Sequence, residues 1–269
     1  MARRRKQASL ASVAATALIA LAAWGFNAWQ NGQAPAPAQK TTTTVAAGAD
    51  QTTYKKLAAM DYANDSDPVI EVGGDASGLD LAKWQGPRIQ YGNLDSLNRT
   101  TTNVGYLDAR TLIKSAGRPG QTFEPTGWHN RYTWVDGRRV NRQNRGHLIA
   151  YTLSGNLDSD GNYKQGELGS SDNPKNLASQ TEFANQVLMQ PFEQQVRDAL
   201  AKRQRVIYKV TTVFRGSELM PRGYWLRAKA ASGLDFNVYV FNVQNEIRYD
   251  YATGRSTVDR SVSVPDKDQ

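Results

Sequence analysis

Asn144-Arg145-Gly146-His147, followed by Asn176, Gln180, Asn185 and Glu193, holds the residue types in this chain best suited to chemistry. A neutral imidazole takes a proton from water near about pH 7. An arginine holds a phosphate through paired N–H groups, and amide and carboxylate oxygens suit a hard cation such as Mg²⁺. Those parts together suit metal-assisted hydrolysis of a phosphodiester. His147 is the expected general base, a role worth about 10²–10⁴ in rate. Arg145, two residues earlier, is placed to hold the scissile phosphate or the charge that develops on it. The second histidine, in Trp128-His129-Asn130, has no such company and reads as a surface or groove residue.

The elements that must carry these groups can be read from pattern. Val69–Val72, Arg88–Tyr91 and Val104–Leu107 read as strands, with Leu107–Ser115 open to a helix capped by Asp108. Arg131–Trp134 and Arg139-Val140 flank Asp136-Gly137, a hairpin signal that leads straight to His147. Residues 156–171 form a polar, Gly-rich loop. Asn173 is a fair N-cap and Pro174 suits a first helical position, so a helix is predicted over 174–186, with a second stretch, Phe192–Arg203, after Pro191. Val206–Val213, Tyr224–Ala230 and Phe236–Val243 are strands by their alternation and β-branching. The class is α+β, with a central antiparallel sheet flanked by helices. At about 100° per residue, Glu193 lies about 80° from Asn185 and can approach the same side. Asn176 and Asn185 lie about 180° apart, so both cannot face one cation from one regular helix. Asn176 is therefore expected to organise the His147 segment or a phosphate, and Gln180 to line the groove. Asp158-Ser159-Asp160-Gly161-Asn162 is no EF-hand, because Tyr163 and Gly169 stand where Gly and Glu are needed.

Tyr91-Gly92-Asn93-Leu94-Asp95, Pro125-Thr126-Gly127-Trp128, Arg145-Gly146-His147-Leu148, Asn173-Pro174-Lys175-Asn176-Leu177 and Asp250-Tyr251-Ala252-Thr253-Gly254 occur in one order along the chain. With the Asn176-x3-Gln180-x4-Asn185-x7-Glu193 spacing, they resemble the DNA/RNA non-specific endonucleases of the ββα-metal class. Within that class the chain looks most like the membrane-anchored nucleases of competent Gram-positive bacteria. The resemblance implies a ββα-metal fold and Mg²⁺ (Mn²⁺ as a substitute) held by Asn185. Glu193 would hold metal-bound water, and cleavage of DNA, with RNA as an open second substrate, would leave 5′-phosphate ends. It also implies substrate contacts from Arg118, upstream of the PTGW segment; Lys175 and Arg142 can add salt-sensitive backbone contacts. One departure stands out: the family usually has aspartate where Asn144 stands. That keeps alive an alternative, a catalytically weak nucleic-acid receptor at the cell surface.

Of the net charge of +8, Arg3, Arg4, Arg5 and Lys6 carry half, so the remainder is only mildly basic. With no cysteine, disulfides, Cys-zinc sites and a thiol nucleophile are excluded. Behind the basic cluster, Ala8–Gln30 is uncharged and largely apolar. Residues 1–30 are expected to be a membrane anchor with the rest outside the cell, or a signal peptide if cleaved. Residues 31–53, rich in Ala, Pro, Thr and Gln, read as a disordered linker, and 54–265 as the catalytic domain. DNA-uptake machinery is a candidate partner; oligomeric state is not legible.

Overall fold

Strands rich in Val, Ile, Tyr and Thr assemble the framework, and their numbering follows the chain. β1 (Val69–Glu71), β2 (Arg88–Gln90) and β3 (Thr102–Leu107) come first. Two ribbons follow: β4 (Tyr132–Val135) with β5 (Arg138–Asn141), and β6 (Asn144–His147) with β7 (Leu177–Gln180). β8 (Val206–Val213), β9 (Gly223–Ala230) and β10 (Asp235–Phe241) precede a last ribbon, β11 (Ile247–Asp250) with β12 (Arg255–Val258). The main sheet is antiparallel throughout, in the order β1–β10–β9–β8–β3–β2. This computed structural model describes residues 48–265 other than Asp75, Asp136 and Ser170. The expected leader over 1–30, and the linker as far as residue 47, lie outside the described residues. Among the described residues no helix is long and apolar enough to cross a membrane.

Side chains alternate across a strand, so the register separates two faces of the sheet. Tyr208, Ala228 and Phe236 lie in one row, and Phe236 meets Phe192 of helix α2 (Gln190–Ala201) at 5.1 Å between ring centroids. Asn103 and Tyr224 share that face; the Tyr224 hydroxyl donates to the Ser179 carbonyl of β7 at 3.1 Å. The site ribbon and α2 are therefore both carried on this face. Lys209, Arg227 and Asn237 lie on the reverse.

The reverse face is covered by helix α1, Gly48–Ala59, which begins inside the stretch read as linker and before the expected domain boundary at 54. Asp50 in its first turn accepts from Lys209 Nζ at 2.9 Å and from Arg227 at 2.8 and 2.7 Å. Burial alone would raise the Asp50 pKa, but the bonds and charges of Arg227 and Lys209 outweigh it and hold it at about 2. Farther along, the Tyr54 hydroxyl takes the Phe214 N–H at 3.0 Å, and Arg215 Nε donates to the Ala58 carbonyl at 2.7 Å.

The expected helix over 174–186 is not formed. Asn173 does cap, accepting from Lys175 N, but the turn it starts is a 3₁₀ turn, Pro174–Asn176, which gives way at once to β7. The helical region proper begins after Thr181, and Pro191 occupies the first turn of α2 instead of breaking it. Leu107–Ser115 holds only a 3₁₀ turn, Ala109–Thr111, capped by Asp108. A second small core, Val135, Val140, Met220, Ile247 and Tyr249, lies between the β4–β5 ribbon and the last hairpin.

Candidate active site

β6 and β7 pair antiparallel, Asn144 opposite Gln180 and His147 opposite Leu177. Gly146 is needed for that approach, because a Cβ there would overlap the Gln180 side chain. His147 is only 7 % exposed, and its Nε2 lies 2.9 Å from the Ser171 carbonyl oxygen. A carbonyl can only accept, so Nε2 carries the ring proton and donates it, which leaves the lone pair on Nδ1. Nδ1 is 3.5 Å from an Arg118 guanidinium nitrogen. Burial, and then the Arg118 charge, hold the imidazole pKa down at about 3; the Ser171 bond and Asp172 act in the opposite direction.

Ser171 and Asp172 escaped the sequence reading. The Asp172 carboxylate accepts from Thr122 N, Thr122 Oγ1 and Phe123 N, and Ser171 Oγ donates to the Pro119 carbonyl. One dipeptide thus orients the imidazole and pins the loop that carries Arg118. The contact to His147 uses a backbone oxygen, which has no sequence signature. Arg145 is steadied from the same loop: its Nε donates to the Phe123 carbonyl at 2.7 Å and its guanidinium lies over the Trp128 ring, 4.5 Å from the centroid. Its nearest carboxylate, on the exposed Glu124, is 3.8 Å away, too far for a hydrogen bond.

Past β7 the chain enters a π-turn, Ala184–Leu188, where Met189 N donates to the Ala184 carbonyl at 3.0 Å. The wider turn shifts the phase between Asn185 and Glu193 from that of an ideal helix. Both still reach one cleft of about 850 Å³, whose lining includes Arg118, Arg145, His147, Asn185 and Glu193. Burial raises the Glu193 carboxyl pKa to about 7, and Arg197, 3.8 Å away, offsets only part of this. Among the described residues no three His, Cys, Asp or Glu side chains converge to hold a metal ion. The donor set instead fits a cation that keeps most of its water: a half-buried amide beside an under-compensated carboxylate.

Residues 65–264 match the DNA/RNA non-specific endonuclease family. The chain belongs to that family. In fold, this endonuclease is similar to the crystal structure of NucA from Streptococcus agalactiae with magnesium ion bound: 28% identity, TM-score 0.64, over 78% of this chain and 96% of that one. The same protein with no metal bound aligns at 27% identity and TM-score 0.64, over 81% and 100%. Sda1 nuclease with bound zinc ion, at 21% identity and TM-score 0.53 over 71% and 96%, shares the fold. The family is divalent-metal dependent.

Three expected site residues of the endonuclease stand outside the cleft. Asn176 is fully buried: its Oδ1 accepts from Asn103 Nδ2 and Ile149 N, both at 2.9 Å, and its Nδ2 donates to the Ile149 carbonyl at 2.8 Å. Its side chain joins β3 to the backbone just past His147 and does not line the cleft. Gln180 is likewise buried, its amide turned to Met189, and it does not line the groove as expected. Lys175 is exposed but lies off the cleft, as does the exposed His129. Asn144 does line the cleft, and its Nδ2 is buried with no hydrogen-bond partner.

Gln143, buried and also missed, buckles the family segments together. Its Nε2 donates to the Gly127 and Gly254 carbonyls at 2.9 Å, and its Oε1 accepts from His129 N. At that buckle a Cβ on Gly254 would collide with Gly127, so the PTGW and DYATG turns require glycine to meet.

Proposed function

We propose that this endonuclease hydrolyses phosphodiester bonds of DNA, and of RNA as a second substrate, without sequence preference, using Mg²⁺ and His147 as general base. We also propose that it works outside the cell, held by its apolar leader or released from it. The observation that carries the chemistry is the 2.9 Å contact from His147 Nε2 to the Ser171 carbonyl, which leaves the Nδ1 lone pair, 3.5 Å from Arg118, as the ring's acceptor for a proton. Nδ1 takes a proton from the attacking water, and the Ser171 carbonyl steadies the imidazolium that results. Arg145 and Arg118 hold the phosphate oxygens as charge builds on them. Burial is the larger cause of the depressed His147 pKa and the Arg118 charge the next; a substrate phosphate beside Arg118 offsets that second part, so the base strengthens as substrate arrives. Asn185 would hold the cation directly and Glu193 through water; when bound, the cation neutralises charge on the phosphate and the leaving oxygen.

The test is plasmid degradation by the purified chain. Cleavage is expected with Mg²⁺, none in EDTA, and a loss of at least about 100-fold for His147→Ala. An undiminished rate in that variant removes the proposed base. DNA that is bound and left intact would instead favour the receptor alternative.

A further inference from the structure

Beside the cleft stands a surface that the hydrolytic chemistry does not use. Alternation in the β4–β5 ribbon puts Thr133, Val135 and Val140 on one face, with both valines sealed in the small core over Met220, Ile247 and Tyr249. The other face presents Tyr132 and Trp134, 58 % and 69 % exposed, together with Arg139 and Asn141. Arg139 lies across the Tyr132 ring, 3.7 Å from its centroid, so ring and guanidinium are already stacked. Arg131, just before β4, is exposed, whereas the exposed Arg138 is paired with Val135 and belongs to the opposite face. The ribbon is held firmly: Asn141 N donates to Glu182 Oε2 at 3.0 Å, and Arg142 Nη1 donates to the Ser256 carbonyl at 2.9 Å.

This face is continuous with the site. Tyr132 and Asn141 also line the catalytic cleft, and Trp134 is two residues farther along, about 7 Å at strand spacing. Paired duplex offers phosphates to the arginines, but its base faces are stacked inside and cannot meet an aromatic ring. An unpaired strand offers both: phosphates to Arg139 and to Arg131 at the ribbon's near end, and bare π-faces to Trp134 and Tyr132. We infer that the outer face of the β4–β5 ribbon is a base-stacking platform, and that it makes single-stranded or melted nucleic acid the preferred substrate. This rests on the cleft being the site of phosphodiester cleavage, and the experiment keeps the two apart.

Full-length protein is assayed with Mg²⁺ on three substrates: a single-stranded oligonucleotide, the same sequence as a blunt duplex, and a nucleoside p-nitrophenyl phosphodiester too short to reach the ribbon. Binding of fluorescein-labelled oligonucleotide in EDTA is followed by anisotropy. The expected result is higher kcat/KM on the single strand than on the duplex. Trp134→Ala should lower kcat/KM on the single strand at least about fivefold through KM, with matching loss of affinity in EDTA. The short diester should be cut at the wild-type rate, and Trp134→Phe should restore most of the loss because it restores a stacking face. Tyr163→Ala, at an exposed tyrosine off the cleft that also lies under an arginine, is the control and should change nothing. Equal loss on duplex and single strand, or no loss on either, overturns the inference while hydrolysis of the short diester leaves the proposed function standing. Failure of wild type to cut any of the three overturns both.

Discussion

A ring proton shared between His147 Nε2 and the Ser171 carbonyl governs what substitutions near it should do. The buried imidazole binds its proton near pH 3 in the folded chain but near about pH 6.5 when unfolded. Between those values the unfolded chain takes up a proton that the native chain refuses, so the contribution is complete above about pH 6.5 and is lost as pH falls toward 3. Wild type should therefore lose melting temperature over that window more steeply than His147→Asn; parallel melting curves would deny the depressed pKa. Asn176→Ala removes the acceptor of two buried N–H groups and one donor, which strands Ile149 N and the Ile149 carbonyl and leaves Asn103 Nδ2 with the Lys175 carbonyl alone. A loss of about 2–4 kcal/mol is expected from denaturant unfolding, together with a lower kcat from a loosened His147 segment. A drop in kcat with unchanged stability would put Asn176 back in contact with substrate.

At the scale of elements, α1 is tied to the sheet by charge as much as by packing. A chain cut to begin at residue 54 loses Asp50 and leaves the buried Arg227 facing Lys209 with no carboxylate between them. It should melt several degrees below a chain beginning at residue 46. Asp50→Asn should reproduce much of that deficit above about pH 4, and the difference should vanish as pH falls toward about 2, where native Asp50 is itself protonated. Scanning calorimetry across that range checks it. The same helix shows why part of the fold escapes sequence. Its segment, GADQTTYKKLAA, has no apolar stripe, so nothing in it announces a docked element. β7 is buried on both faces and so shows no alternation, while Asn173-Pro174 begins a 3₁₀ turn with the same cap it would give a helix. β8, β9 and β10 were legible because β-branched and aromatic residues run along them. Of the site, His147, Arg145, Asn185 and Glu193 were legible as side chains of fitting chemistry. Ser171 acts through its backbone and Gln143 through turns, and neither leaves a trace in spacing.

For the whole molecule, the core is built from the sheet, α1 on one face, and α2 with the site ribbon on the other. If a cation is held as proposed, by one amide and through water one carboxylate, its weak binding would add little to folding, since the gain grows only with the logarithm of cation concentration over Kd. EDTA should abolish cleavage yet shift the melting temperature by no more than about 2 °C, as read by calorimetry or circular dichroism; a large fall would mean a structural ion. Among the described residues the cleft takes none of its lining from beyond Arg197, yet Gln143 fastens the PTGW turn before Trp128 to the turn at Gly254. The C-terminal hairpin is thus a keystone outside the cleft: one peptidase nick between Asp250 and Gly254 would disarm the enzyme with every reacting group still attached.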